Sequence, residues 1–254
     1  MREHVSITHP GLKRTENEDS CGMFPIGKHA QLYVVCDGIG GGNGGKEASA
    51  LALSVFSSFI LSQWSSFTAE CWDSLSLAQI KRVMRAAASE ASRRVRAAAR
   101  ENPALEGMGS TLVAALLTES RAYVIHVGDS RLYTVTEHVM GKVTRDHSYI
   151  QYLVDIGRVT KQQAKELHIQ NYITQAIGAY DHADGDFCAL DLSADDRPTY
   201  LLLCSDGLHA AVRKDVMHRI LLSDRTLPDK AQALVDAALA CGGEDNITAV
   251  IVRI

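Results

Sequence analysis

No two of the six cysteines, Cys21, Cys36, Cys71, Cys188, Cys204 and Cys241, form a C-x-x-C pair. That spacing argues against a zinc site or a disulfide framework. None precedes a Gly/Arg-rich anion loop, so a thiol nucleophile is not expected either. Cys36 and Cys204 close apolar runs, where a free thiol serves as a small buried hydrophobe. No apolar run approaches the roughly 18–20 residues of a transmembrane helix. The first residues, MREHVSITHPGLKRTENED, lack the apolar core of a signal peptide. Charge is also sparse: net −4 with a pI near 6.2 gives no general attraction to nucleic acid or anionic membrane. Linkers, low-complexity tracts and repeats in the 20–50-residue range are missing as well. These absences predict a soluble, cytoplasmic, monomeric protein with no nucleic-acid or membrane partner. The 254 residues, 46% of them hydrophobic, suffice for one domain spanning 1–254.

What the chain does have is concentrated in residues 31–49, QLYVVCDGIGGGNGGKEAS. An apolar run stops at Asp37, and six glycines follow within eight residues (Gly38, Gly40, Gly41, Gly42, Gly44, Gly45). A loop this bare lets a metal, a phosphate or a substrate approach the backbone. Gly40, Gly42 and Gly45 fit the dinucleotide fingerprint, but no acid stands about 20 residues on, where the ribose needs one. Gly40 to Lys46 nearly fits the phosphate loop, but Glu47 cannot supply the hydroxyl that loop gives to magnesium.

Taken in order, residues 4–9, 20–24 and 31–37 read as strands, with Lys13 to Asp19 as a charged loop between the first two. Glu47 to Trp64 reads as a helix with an apolar face at Ala48, Leu51, Ala52, Val55 and Phe59. Leu77 to Arg100 reads as a longer helix, apolar along Ile80, Met84, Ala87, Ala91, Val95 and Ala98. Its basic stripe (Arg82, Arg85, Arg93, Arg96, Arg100) is read as a solvent face. Residues 110–136 read as an antiparallel meander of three strands. Residues 145–175 read as two short helices, the second capped by Thr160, forming a flap at approximately 146–175; His147 and His168 there are candidate ligands, with a surface or capping role the commoner reading. A buried strand over 199–204, helices over 213–222 and 228–241, and a strand over 247–254 complete the chain. The expected class is α+β: a central sandwich of two antiparallel sheets flanked by paired helices in four αββα layers, with a helical flap.

Asp37, Asp129, Asp206 and Asp245 each end a strand beside a glycine or within a residue of a Gly-rich turn. One such Asp is ordinary turn chemistry. Four whose strands share sheets can converge, and converging carboxylates are costly unless a cation neutralises them. An oxygen-only donor set favours Mg or Mn over Zn. Two such ions activate a water and polarise phosphoryl oxygens, which points to a metal-dependent hydrolase.

The segments RTENED (14–19), VCDGIGGGNGGKEAS (35–49), GSTL (109–112), VGDSR (127–131), DHS (146–148), CSDGL (204–208) and GGEDNIT (242–248) together resemble the metal-dependent serine/threonine protein phosphatases, the PPM or type-2C family, in its minimal bacterial type. The resemblance runs from about residue 5 to the end. It implies that Asp37 bridges two Mn or Mg ions and that the Gly38 carbonyl ligates one. Asp206 and Asp245 would complete the second, and Asp129 would hold a possible third. Glu18 is implied to act through metal-bound water, with Asp19 supporting it, and Arg14 to hold the substrate phosphate. The implied reaction is direct hydrolysis of phosphoserine or phosphothreonine by a water bridging the ions. The implied partners are phosphoproteins, a serine/threonine kinase or its targets. The chain departs from many relatives at Ile39, where a histidine is common, and at Gln175, where an arginine is. Two other readings stand beside this one: a catalytically silent phosphatase-like module that binds a kinase or phosphoprotein, which the filled ligand set argues against, and a nucleotide-binding protein using 40–46 as a phosphate loop.

Overall fold

A computed structural model describes the chain apart from residues 1, 28, 41–43, 67–71, 165–171, 180–182 and 195–196. Gly41, Gly42, Cys71, His168 and the middle of the expected flap therefore lie outside the described residues. Eleven strands form two antiparallel sheets. One sheet orders β1 (His4–His9), β11 (Ile247–Arg253), β10 (Tyr200–Cys204), β7 (Arg131–Val135) and β8 (Met140–Lys142) side by side. The other orders β2 (Asp19–Ile26), β3 (Ala30–Ile39), β5 (Leu112–Leu117), β6 (Arg121–Val127) and β9 (Asp186–Asp191), with β4 (Gly109–Ser110) on the far end of β3.

Three apolar layers explain why these strands are so uniformly hydrophobic. Strand side chains alternate between faces. In β3, Leu32, Val34 and Cys36 face α1 (Gly44–Ser66) and α2 (Leu77–Glu101), while Tyr33 and Val35 face the second sheet. In β10, Leu201 and Leu203 face inward between the sheets, while Leu202 and Cys204 meet α5 (Asp206–His209), α6 (Lys214–Leu222) and α7 (Leu227–Ala240). Each buried Leu, Ile or Val contributes about 1.5–3 kcal/mol. The expected four-layer α+β sandwich is thus the observed one.

The long helices start where their sequences say they should. Ser76 and Gln79 form a reciprocal capping box at α2, which ends at Asn102 before Pro103. Its buried face is Ile80, Val83, Met84, Ala87, Ala88, Ala91, Ser92 and Val95. Its basic stripe is a solvent face, where Arg93 pairs with Glu90, except that Arg85 reaches the Gly185 carbonyl at 3.2 Å. In α1, Ala48, Ala52, Phe56 and Ile60 are fully buried, whereas Leu51, Val55 and Phe59 are only partly so. This helix packs against both a sheet and α2, and a wide apolar arc lets tertiary packing select the innermost residues.

The meander expected over 110–136 is corrected. β5 and β6 pair, but β7 belongs to the other sheet, beside β10. The turn at Gly128 and Asp129 is a crossing between sheets, not a hairpin. β8 and β9, both edge strands, were not read: β8 is only three residues long, and β9 is a short apolar run set between acids with no residue fully buried. The flap has the two helices expected, α3 (Tyr149–Asp155) and α4 (Lys161–Ala164), the second capped by Thr160 bonding the Gln163 N–H at 3.2 Å. His147 is buried rather than on the surface.

Candidate active site

The site lies at the end of the sandwich where the chain crosses between sheets. Crossings there include the charged segment 10–18, joining β1 to β2, and 128–130, joining β6 to β7, and the flap lies on a third, from β8 to β9. The first sheet exposes there the exit of β10 and the entry of β11. The second exposes the start of β2 and the end of β3, whose register sets Asp19 directly opposite Asp37.

Backbone bonds hold Asp37 in place. Its N–H donates to Thr111 Oγ1 at 2.9 Å, and its carbonyl accepts from the Thr111 N–H at 2.8 Å and Ser110 Oγ at 3.0 Å. Thr111 Oγ1 also meets Ser130 Oγ at 2.7 Å, linking Asp37 to the turn of Asp129. The Asp37 and Asp206 carboxyls lie close enough for each to disfavour the other's charge. Burial, then Asp19, Asp206, Asp129 and Asp245, hold Asp37 well above the usual carboxylate range. Burial and Asp245 raise Asp206 likewise.

Asp19 accepts from Ser205 Oγ at 2.7 Å through Oδ2, whereas its buried Oδ1 has no partner. Burial pushes its pKa up to about 7, against hydrogen bonds from Thr248 and Ser205. Asp129 is also pushed up to about 7, by burial and then by Asp206 and Asp146. The structure thus gathers Asp19, Asp37, Asp129, Asp206 and Asp245 into one electrostatically linked group.

Glu18 stands at its edge. Its N–H donates to Asn246 Oδ1 at 2.8 Å, its carbonyl accepts from the Gly38 N–H at 3.2 Å, and its carboxyl takes a bond from the Gly45 backbone. That last bond uses an N–H in the first turn of α1, where a phosphate loop would hold its phosphate, which weakens the nucleotide reading. Burial raises the Glu18 pKa more than Arg14 lowers it. Arg14 reaches Asp245 Oδ2 at 2.8 Å, and both side chains are partly exposed. The hydrogen bond and then the charge of Asp245 raise the arginine's pKa. The turn before it is glycine-dependent: Gly11 has φ +81°, and a Cβ there would stand 2.3 Å from the Asp245 carbonyl oxygen.

Several residues matter here that the sequence reading did not assign. Asn246 pins the 10–18 segment at three points, donating to the Pro10 and Glu16 carbonyls at 2.9 Å each while accepting from the Glu18 N–H. Thr111 and Ser205 orient Asp37 and Asp19. Behind Asp129, Arg131 grips Asp146 with bonds of 3.0 and 2.6 Å. Burial opposes the Asp146 carboxylate, yet Arg131 and Lys142 bring its pKa below the usual value. His209 donates from Nε2 to the Asp129 carbonyl at 3.0 Å, and burial keeps its ring neutral, with a pKa of about 3. Asn246, Thr111, Ser205, Arg131 and Asp146 all lie inside the quoted motifs, although Thr111 stands beside no acid; His209 follows CSDGL and had no signal.

This donor set suits a hard divalent cation. It offers carboxylate oxygens with no nitrogen or sulfur, crowded so that their charges repel, and an orphaned oxygen on Asp19. It suits Mg or Mn better than Zn.

A family model described as Protein phosphatase 2C matches residues 13–241. The chain is 34% identical over 246 residues to the serine/threonine phosphatase stp of Listeria monocytogenes, covering 97% of this chain and 93% of that protein. The crystal structure of the serine/threonine phosphatase Stp1 from Staphylococcus aureus superimposes with a TM-score of 0.89 at 30% identity, covering 100% of this chain and 95% of that one. The catalytic domain of the phosphatase PstP, solved in complex with 2 manganese ions, superimposes with a TM-score of 0.78 at 29% identity over 99% of this chain and 97% of that one.

Proposed function

The chain belongs to the protein phosphatase 2C family and is a serine/threonine protein phosphatase; from that premise we propose that residues 1–254 form one catalytic unit that hydrolyses phosphoserine and phosphothreonine with two Mn or Mg ions, opposing a serine/threonine kinase in bacterial signalling. Asp37 would hold both ions, the Gly38 carbonyl one of them, and Asp206 with Asp245 the second, with Asp129 available to a third. When bound, the ions supply Lewis acidity: a stronger water nucleophile at neutral pH and polarised phosphoryl oxygens. The observation that carries this reading is the packing of acids at one end of the sandwich, with Asp19 set opposite Asp37 across β2 and β3 and its buried Oδ1 left without a partner, a group that only protons or cations can neutralise.

The chain's own residues do the rest. Thr111 and Ser110 lock the Asp37 backbone, and Ser205 locks Asp19, so the acids do not rearrange as charge develops. Arg14 stands at the rim, where its guanidinium presents a planar fork to phosphate oxygens. Asp245 keeps that fork oriented, and the phosphate takes up donors that Asp245 does not use. Glu18, held by Asn246 and Gly45, and Asp19 accept protons near the reacting water. Ile39 brings no ionisable group to the leaving oxygen. The flap helices α3 and α4 shape access for the phosphoprotein. No helix among the described residues is long and apolar enough to cross a membrane.

The test is hydrolysis of a phosphothreonine peptide and of an aryl phosphate with Mn or Mg. We expect both to be abolished by chelator and by Asp245→Asn. Turnover that survives chelation, or a wild-type rate in the variant, would overturn the assignment.

A further inference from the structure

We propose that His126, His147 and Asp186 form a second cation site, of the transition-metal class, at the root of the flap and separate from the oxygen site. Its parts come together through backbone pairing. The register of β6 with β9 sets His126 opposite Asp186. The chain returning from β8 docks on the end of β6, where the His147 N–H donates to the Gly128 carbonyl at 2.9 Å. On the other side, the Thr174 N–H donates to the His147 carbonyl at 2.8 Å, so this residue anchors both ends of the flap.

The two imidazoles stack with centroids 4.7 Å apart and planes 23° apart. Both are buried, at 4% and 8% exposure, which makes a pair of polar rings here costly unless they are used. His147 Nε2 is buried without a hydrogen-bond partner, 3.4 Å from Asp186 Oδ2. One ring nitrogen from each histidine and one Asp186 oxygen all lie within 4.8 Å of one another. His126 donates from Nε2 to the Arg145 carbonyl at 2.7 Å, which leaves a lone pair on Nδ1. A carbonyl behind a ligating imidazole is the usual support that fixes its tautomer. Burial keeps His126 below the ordinary histidine pKa and so in the neutral form that binds metal.

Two nitrogens and one oxygen suit Zn, Co, Ni or Cu rather than Mg. Asp186 is exposed, so the remaining coordination position opens to water. Binding also makes a demand on the turn next door. The Gly128 N–H donates to His147 Nδ1 at 3.2 Å, so neutral His147 carries its proton on Nε2. Coordination through Nε2 moves that proton to Nδ1, and the Gly128 N–H has to turn away. Occupancy therefore bears on the turn that carries Asp129.

The experiment uses the full chain in saturating Mg, which occupies the oxygen site, dialysed against graded Zn and counted by elemental analysis. Wild type should retain one more zinc per chain than Asp186→Ala, whose zinc affinity should be at least about tenfold weaker. Because Asp186 is exposed, this variant keeps its fold, checked by circular dichroism, and should keep the Mn-dependent phosphatase rate measured without zinc. Histidine ring nitrogen NMR shifts should move with zinc in wild type, and Co should give the strong visible bands of nitrogen-ligated, four-coordinate metal. Equal zinc in wild type and Asp186→Ala, or ring shifts that ignore zinc, would overturn the site and leave an imidazole–carboxylate pair only.

Discussion

Two Asp-Gly steps leave apolar strands in this chain, and they look alike only as letters. Asp37-Gly38 lies within β3, which continues extended through Ile39 and pairs Gly38 with Ser110. Asp206-Gly207 instead opens the short helix α5 directly after β10. The glycines are nevertheless required for one shared reason. A Cβ on Gly38 would stand 2.1 Å from the Gly45 carbonyl oxygen, and one on Gly207 2.1 Å from that of Asn246. Neither glycine has a positive φ. Close approach of a second backbone, not turn geometry, dictates both: the start of α1 at Gly38 and the turn before β11 at Gly207.

The comparison is tested hardest by removing charge from each exit. Asp37→Asn and Asp206→Asn should each lower Mn-dependent turnover by at least about a hundredfold, more than the loss of an outer partner of a metal site. A large loss in only one would break the equivalence of the two exits. Next come the glycines. Gly38→Ala and Gly207→Ala should each cost about 1–3 kcal/mol, as overpacking does, read as a lower urea midpoint with the slope unchanged. Of the two, Gly207→Ala should cost more, because Asn246 is fixed by three bonds to the 10–18 segment and cannot retreat. Wild-type midpoints would mean that the backbones slide apart freely.

A smaller effect is expected at the rim. Arg14→Lys keeps the charge and loses the fork, so kcat/KM on a phosphopeptide should fall roughly tenfold. An unchanged value would remove Arg14 from phosphate binding.

The smallest effect is thermal. Asp19, bonded to Ser205 beside one exit and paired opposite Asp37 at the other, is pushed up to about 7, as is Asp129. A carboxyl raised from its unfolded value of 3.8 holds more protons folded than unfolded across that window. Stability of chelated protein should therefore fall as pH rises from about 4 to about 7, by several degrees in melting temperature. Saturating Mn should cancel the trend, since cations then replace protons. A chelated protein whose melting temperature rises over this range would contradict the clustering of the acids.

Much of this was legible beforehand, and the reasons are local. β3 and β10 are unbroken apolar runs because both of their faces are buried. α2 carries its cap and its period in its own letters. The acids at 37, 129, 206 and 245 could be picked out because each sits beside a glycine at a strand end. β8 and β9 escaped because edge strands have little to bury, and β7 went to the wrong neighbour because Gly128-Asp129 looks the same in a hairpin as in a crossing. His147, read as a surface or capping residue, is buried against His126.

The sequence by itself determined the long helices, the buried strands and the layered α+β architecture, and it singled out acids at strand ends, since these depend on periodicity, turn chemistry and residue type within a few positions. Tertiary structure alone decided that Asp19 stands opposite Asp37, where Arg14 rests, and that His126, His147 and Asp186 meet. Those relations depend on strand register and on which sheet receives the chain after each crossing, and they join residues tens to hundreds of positions apart.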